Sequence, residues 1–261
     1  MSAVVVGGGL IHYEAFGRGH PVVFVHGWLG SWRYWMRTME ALASDYRSYA
    51  IDLWGFGDSD KSQERYSIAD YSALLCDFMD QLGIANVSLV GHSLGAIVGL
   101  RLAAQHRSRI SRLTIVSPPL TARAVSSRLF DFDNSSAFTK MFWRRLMIHS
   151  EVKQGTDKVA NHAIALSLQS ALEIDTWALI KQVRQPTLIV YGEKDSLIDP
   201  QPVHTLNGQR PGLRPIGFPA SQHFPMLEEA NRFNRLLKDF LDASDDLSGL
   251  ALKEEWKRRN R

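Results

Sequence analysis

The chain is poor in cysteine. Cys76 stands alone among 261 residues, so no internal disulfide can form and the fold must rest on its core. Residues 68–82 carry Ile68, Tyr71, Leu75 and Leu82 at helical spacing, which makes Cys76 a small helix residue rather than a reactive thiol. Long apolar runs are also missing. Nothing approaches the ~20 consecutive apolar residues that a bilayer span needs. The opening M-S-A-V-V-V-G-G-G lacks a basic n-region and an extended apolar stretch, so no signal peptide and a cytoplasmic location are expected. A charge surplus is missing too. Thirty Lys and Arg face 27 Asp and Glu, and the one basic run is residues 257–259. That pattern gives no electrostatic footprint for nucleic acid. No internal repeat is visible.

What remains is core material. Hydrophobic residues make up 45% of the chain, with seven Trp and twelve Phe, enough for one large α/β domain or two small ones. Short apolar, β-branched runs alternate with longer amphipathic ones, which predicts an α/β fold around a mostly parallel sheet. Strands are expected at 11–16 and 22–25, then a Ser31-capped helix at 31–43, a strand at 47–52 and a helix at 67–82. A strand at 87–90, a helix at 94–105 and a strand at 112–116 follow. The rhythm stops at Ser117-Pro118-Pro119. It resumes with T-L-I-V-Y at 187–191, a strand at 213–218 interrupted by Pro215, and a closing helix at 231–241. The stretch between is helix-like and rich in Phe and Trp. Residues 1–118 and 186–242 therefore form the expected core domain. Residues 119–185 form a helical cap over the strand ends, where sites in open α/β sheets lie. Residues 243–261 form a charged tail, mobile or loosely docked.

Gly91-His92-Ser93-Leu94-Gly95 sits between the strand at 87–90 and the helix at 94–105. A G-x-S-x-G in that setting is a nucleophile elbow, which leaves the serine hydroxyl exposed at the top of a sheet. Serine is a weak nucleophile and needs a base, and the base needs an orienting carboxylate. In this architecture they follow in the order serine, acid, histidine. Asp195 lies just after the strand at 187–191 and is the expected acid. Asp199, in D-S-L-I-D-P, is the second choice, with a role in turn geometry before Pro200. His223, in A-S-Q-H-F-P after the last strand, is the expected base. His204, His149 and His162 lie elsewhere, in a helix or in the cap. An oxyanion hole needs two donors, for which the backbone N–H groups of Leu94 and Trp28 are placed best. His26 precedes the nucleophile and is expected to brace the Trp28 loop by hydrogen bonding. No metal or organic cofactor is called for.

Four stations carry a resemblance: V-F-V-H-G-W, D-L-W-G-F-G-D-S-D (residues 52–60), L-V-G-H-S-L-G, and Y-G-E-K-D with Q-H-F-P. Together they resemble the α/β-hydrolase superfamily, and within it small bacterial serine hydrolases with a helical cap. The resemblance implies that Asp52, Gly55, Gly57 and Ser59 form a structural loop beside the site. Serine at position 93 argues against the aspartate-nucleophile dehalogenases and epoxide hydrolases. Ser117-Pro118-Pro119 offers no carboxylate where some members place the acid, which supports Asp195. Leu29, where family perhydrolases tend to have proline, favours simple hydrolysis.

The expected activity is cleavage of small to medium, mostly apolar carboxylic esters through Ser93, His223 and Asp195. Two alternatives share the resemblance: a C–C bond hydrolase of ring-cleavage diketones, and a receptor-like protein that keeps the triad to capture ligand. Trp28, Leu29, Phe142, Trp143, Met147 and Phe224 are the candidate pocket residues. The cap members of that set could equally form the cap's own core, with Trp177. Arg123, Arg128, Arg144 and Arg145 could make a basic rim for an acyl carrier protein, but a solvated helix face is favoured. Arg144 and Arg145 are adjacent and diverge by about 100° on a helix.

Overall fold

The computed structural model describes residues 2–28, 30–62, 64–121, 149–253 and 256. Among them, eight strands form one sheet in the order β1-β2-β4-β3-β5-β6-β7-β8. These are β1 (Ser2–Val6), β2 (Gly9–Gly17), β3 (His20–Val25), β4 (Tyr46–Ile51), β5 (Val87–His92), β6 (Ile110–Val116), β7 (Thr187–Gly192) and β8 (Leu213–Phe218). The β1–β2 and β2–β4 pairings are antiparallel, and every later pairing is parallel.

Burial follows position in the sheet. All six residues of β5 and all six of β7 are buried, because helices cover both faces of a parallel sheet. Each fully buried Leu, Ile or Val there contributes roughly 1.5–3 kcal/mol. The helices are α1 (Met36–Leu42), α2 (Ile68–Gln81), α3 (Leu94–Gln105), α4 (Ser150–Thr156), α5 (Asn161–Leu172), α6 (Thr176–Gln182), α7 (Gln201–His204), α8 (Pro225–Glu228) and α9 (Ala230–Asp242). Helix α2 starts where Ser67 and Asp70 cap each other reciprocally, which satisfies two otherwise orphaned amides. It buries Ile68, Tyr71, Leu74, Leu75, Phe78 and Met79. Helix α9 buries Phe233, Leu236, Leu237 and Phe240, the i, i+3, i+4, i+7 stripe of an amphipathic helix.

The structure departs from the sequence expectation in four places. Residues 2–6, outside every expected element, form β1, joined to β2 by Gly7 and Gly8 at positive φ (54° and 87°). The 31–43 segment opens as a 3-10 turn over Trp32–Trp35 before becoming α1, with the Ser31 side chain accepting from Arg33 N–H. Pro215 does not interrupt β8, whose register with β7 runs unbroken from Leu213 to Phe218. Proline is tolerated there because β8 is an edge strand. Part of the tail is packed rather than loose. Leu247, Leu250 and Trp256 are buried, and Arg214 Nε donates to the Leu250 carbonyl at 2.8 Å. No single described helix is long and apolar enough to cross a membrane.

Candidate active site

The parallel strands all point their C-terminal ends to one side, and the candidate residues lie there. Ser93 sits between β5 and α3 with φ 52° and ψ −108°. A non-glycine residue in that region carries about 1–3 kcal/mol of strain and persists only where its surroundings hold it. Three backbone bonds do so. Ser93 N–H donates to the Val116 carbonyl (2.9 Å), Gly95 N–H to the His26 carbonyl (3.1 Å), and Ala96 N–H to the Ser93 carbonyl (3.0 Å). The two glycines of the elbow are required by space. A Cβ at Gly91 would lie 2.2 Å from the Gly95 carbonyl oxygen, and one at Gly95 would lie 2.5 Å from the Val25 oxygen.

Asp195 follows β7 and His223 follows β8. His223 Nδ1 and Asp195 Oδ2 are 2.8 Å apart, with both side chains almost fully buried. The other carboxylate oxygen accepts from the Leu197 and Ile198 amides at 2.8 and 3.0 Å. Three donors thus fix the carboxylate. Its engagement of Nδ1–H leaves Nε2 as the ring nitrogen able to take a proton. The His223 loop is braced from the end of α8 and the residue after it: Glu228 accepts from the Gln222 amide at 2.5 Å, and Glu229 accepts from the Ser221 hydroxyl at 2.8 Å. Burial raises the Glu228 carboxyl above its ordinary range. Asp199 accepts from the Gln201 amide at 3.0 Å, at the start of α7, and His204 faces Glu193 instead.

The Trp28 loop follows β3. Neither the Trp28 nor the Leu94 N–H has an acceptor among the described residues. Such free donors beside Ser93 are the raw material of an oxyanion hole. His26 sits beneath. Leu53 N–H donates to its Nε2 (3.0 Å), and its Nδ1–H donates to the Gly27 carbonyl (2.9 Å). Burial pulls its pKa down to about 4, so it is a neutral strut. The 52–60 loop is held in the same manner. Asp52 accepts from the Trp32 and Asp58 amides, both at 2.8 Å, and Ser59 Oγ donates to the Asp52 carbonyl at 2.6 Å.

Helix α5 meets this platform at Trp28. Its indole N–H donates to Ser167 Oγ on α5 at 3.0 Å, and a cleft beside it is lined by Ile97, Pro119, Leu168, Leu172, Ile174 and others. Phe224 lies elsewhere, with its ring packed among His92, His223, Tyr34 and His149. Leu29, Phe142, Trp143 and Met147 lie outside the described residues, as do Arg123, Arg128, Arg144 and Arg145. A larger groove, lined by Asn207, Arg210, Arg214 and Ser248, sits at the start of β8, the opposite end of the sheet from the site.

His12, Asp52 and Asp58 bring ligand atoms within 4.8 Å of one another. They make a poor metal set. Asp58 already pairs with Arg33 and Lys158, and both Asp52 oxygens accept backbone amides. Sequence reasoning missed Tyr34, His92, Ser117, Ser167 and Glu228, all of which bond to site residues or their loops. One signal was visible: His92 is the first variable position of the G-x-S-x-G itself.

The model of the alpha/beta hydrolase fold family matches residues 20–230. The chain belongs to that family. A pimeloyl-[acyl-carrier protein] methyl ester esterase of Vibrio cholerae is 26% identical over 253 residues, covering 88% of this α/β-hydrolase and 97% of that protein. An esterase from Exiguobacterium antarcticum has TM-score 0.82 at 20% identity, covering 93% of this chain and 99% of that one. A meta-cleavage product hydrolase from Pseudomonas fluorescens has TM-score 0.72 at 24% identity, covering 93% and 97%. At these identities the two structural likenesses speak for the fold alone.

Proposed function

We propose that the protein is a serine hydrolase that cleaves carboxylic esters of small to medium apolar acyl groups. The observation that carries this reading is the buried Asp195–His223 pair at 2.8 Å, on the same side of the sheet as the strained Ser93 elbow. In the proposed sequence, His223 Nε2 takes the Ser93 proton as Oγ attacks the acyl carbon. The Trp28 and Leu94 amides receive the oxyanion. His223 returns the proton to the departing alcohol, leaving an acyl-enzyme. Water, deprotonated by His223, then attacks the acyl carbon and frees Ser93. Asp195 holds the tautomer and stabilises the imidazolium. No step requires a cofactor.

The sequence likeness to an esterase supports the ester reading over diketone cleavage. The apolar side chains beside Trp28, among them Ile97, Leu168, Leu172 and Ile174, support an apolar acyl group. We further read residues 119–185 as the cap and residues 1–118 with 186–242 as the core, since α4, α5 and α6 lie between β6 and β7 in the chain, Ser167 on α5 bonds to Trp28, and Lys158 and Ala160 just before α5 bond to Asp58 and Gly55 of the 52–60 loop. The test is direct. A fluorophosphonate should label Ser93, and p-nitrophenyl acetate through octanoate should be turned over many times per molecule. A folded protein that is not labelled would refute the serine mechanism. Labelling with one turnover per molecule would favour a receptor, and faster cleavage of a ring-fission diketone would favour the C–C hydrolase.

A further inference from the structure

The two arms of the site are joined by a hydrogen-bonded chain that none of the roles above uses. It begins at Gly27, beside the proposed oxyanion donor. Gly27 N–H donates to Tyr34 Oη at 2.6 Å. Tyr34 Oη lies 3.1 Å from His92 Nδ1. His92 Nε2 lies 2.9 Å from the backbone carbonyl of His223, and the Ser117 hydroxyl donates to that same carbonyl at 3.1 Å.

The ends of the chain fix its direction. A backbone amide can only donate, so Tyr34 Oη accepts from Gly27 and turns its own hydrogen toward His92 Nδ1. A carbonyl can only accept, so the His92 proton resides on Nε2. One tautomer therefore satisfies every member. Burial, then the neighbouring His223, holds the His92 pKa well below its ordinary value, and burial holds the Tyr34 hydroxyl well above its own. Neither group changes charge in the working range. Both are about 1% exposed, so solvent cannot substitute for a lost partner. The fit is also tight. A Cβ on Gly27 would come within 2.9 Å of His92 Nδ1 and of Ser93 Cβ.

We propose that Tyr34 and His92 are positioning residues: one relay from the oxyanion loop through the Tyr34 hydroxyl and the His92 ring to the His223 carbonyl sets the base and the oxyanion donor relative to Ser93. This rests on the ester-cleavage reading above. A misplacement of about 1 Å in such a constellation costs up to about 100-fold in rate. The relay acts on the transition state, where both arms must engage at once, rather than on ground-state substrate binding.

The experiment uses the full chain with Tyr34→Phe, His92→Phe, His92→Gln and the double Tyr34→Phe/His92→Phe, assayed with p-nitrophenyl butyrate and with a fluorophosphonate. Circular dichroism and thermal unfolding identify the folded fraction, and rates are expressed per folded molecule. His92→Phe should lower kcat about 10- to 100-fold with KM held within about twofold. His92→Gln, which keeps a donor able to reach the carbonyl, should recover part of that loss. The double variant should be no slower than His92→Phe, because either break interrupts one chain. The fluorophosphonate labelling rate should fall in parallel with kcat. Losses that multiply, a change carried by KM, or a His92→Gln no better than His92→Phe would each overturn the relay. A wild type that neither labels nor turns over would overturn the serine reading, and the relay with it. A wild type that does both while the single variants match it would overturn the relay alone.

Discussion

The strand-end platform and the helical insertion above it are built on different principles. In the platform, polar atoms are buried and bonded to one another. Asp195, His223, His26, His92 and Asp52 all have partners of fixed direction, and the backbone is strained at Ser93. The insertion is attached by separate ties. Among the described residues these include Trp28 to Ser167, the Ala160 amide to the Gly55 carbonyl at 2.8 Å, the Ile68 amide to Ser170 at 3.0 Å, the contact of His162 with Tyr66 and the Lys158–Asp58 ion pair. Bonds in a shared network fail together, whereas separate ties fail one at a time.

That contrast can be broken or sharpened by substitution. Ser93→Ala should lower kcat for p-nitrophenyl esters by about 10^4-fold or more, and Asp195→Asn by about 10^3- to 10^4-fold, with little change in KM. A loss below tenfold in either would remove the platform's claim to the chemistry.

Acid should strike the platform next. His26 has its pKa lowered to about 4 by burial and His92 lies well below the ordinary value of 6.5, so the unfolded chain binds more protons than the folded one below about pH 6.5. Stability then falls as pH drops through that window. Asp52 works in the opposite sense. Burial, against two backbone amides, raises its carboxyl to about 6, so protonating it favours the folded state between about pH 6 and 4. Glu228, raised by burial, works with Asp52, and His20 and His149, lowered by burial, work with His26 and His92; the histidines outweigh the carboxylates. Urea unfolding should show a smaller free energy at pH 5 than at pH 7, and equal values would contradict the neutral-strut role of His26.

Ser167→Ala tests a single tie. It removes the acceptor of the Trp28 indole, and the expected result is a fall of about 3- to 10-fold in kcat/KM, on the order of 1 kcal/mol. A loss as large as that of Asp195→Asn would mean that the insertion belongs to the platform's network. The smallest effect should come from Lys158→Ala. Its partner Asp58 keeps Arg33 at 3.0 Å, and partly exposed ion pairs contribute about 0–1 kcal/mol. Thermal unfolding should shift by no more than a few degrees.

The same contrast explains what could be read from residues alone. The candidate triad was legible because chemistry restricts both residue type and chain order. Ser93 and Asp195 follow the apolar runs of β5 and β7, and His223 follows β8, whose L-R-P-I-G-F is a weaker strand signal. The parallel core strands β5 and β7 announced themselves through unbroken apolar composition. Strand β1 did not, because only one of its five residues is buried and its pairing is set by a Gly-Gly turn rather than by hydrophobic pattern. The relay through Tyr34 and His92 was illegible for another reason. A buried tyrosine and a buried histidine 58 residues apart carry no local signature, and only the crossing of β3 beside β5 brings them together. Ser167 is similar, since a serine inside an apolar helix reveals neither its face nor its partner.

Ser93 has a consequence outside catalysis. Its backbone occupies a conformation that glycine adopts freely and serine does not. The proposed nucleophile is therefore one of only two non-glycine residues at positive φ among the described residues. Ser93→Gly should abolish ester cleavage and yet unfold at a higher urea concentration than the wild type, a gain of about 1 kcal/mol. A sequence optimised for durability alone would have discarded this serine.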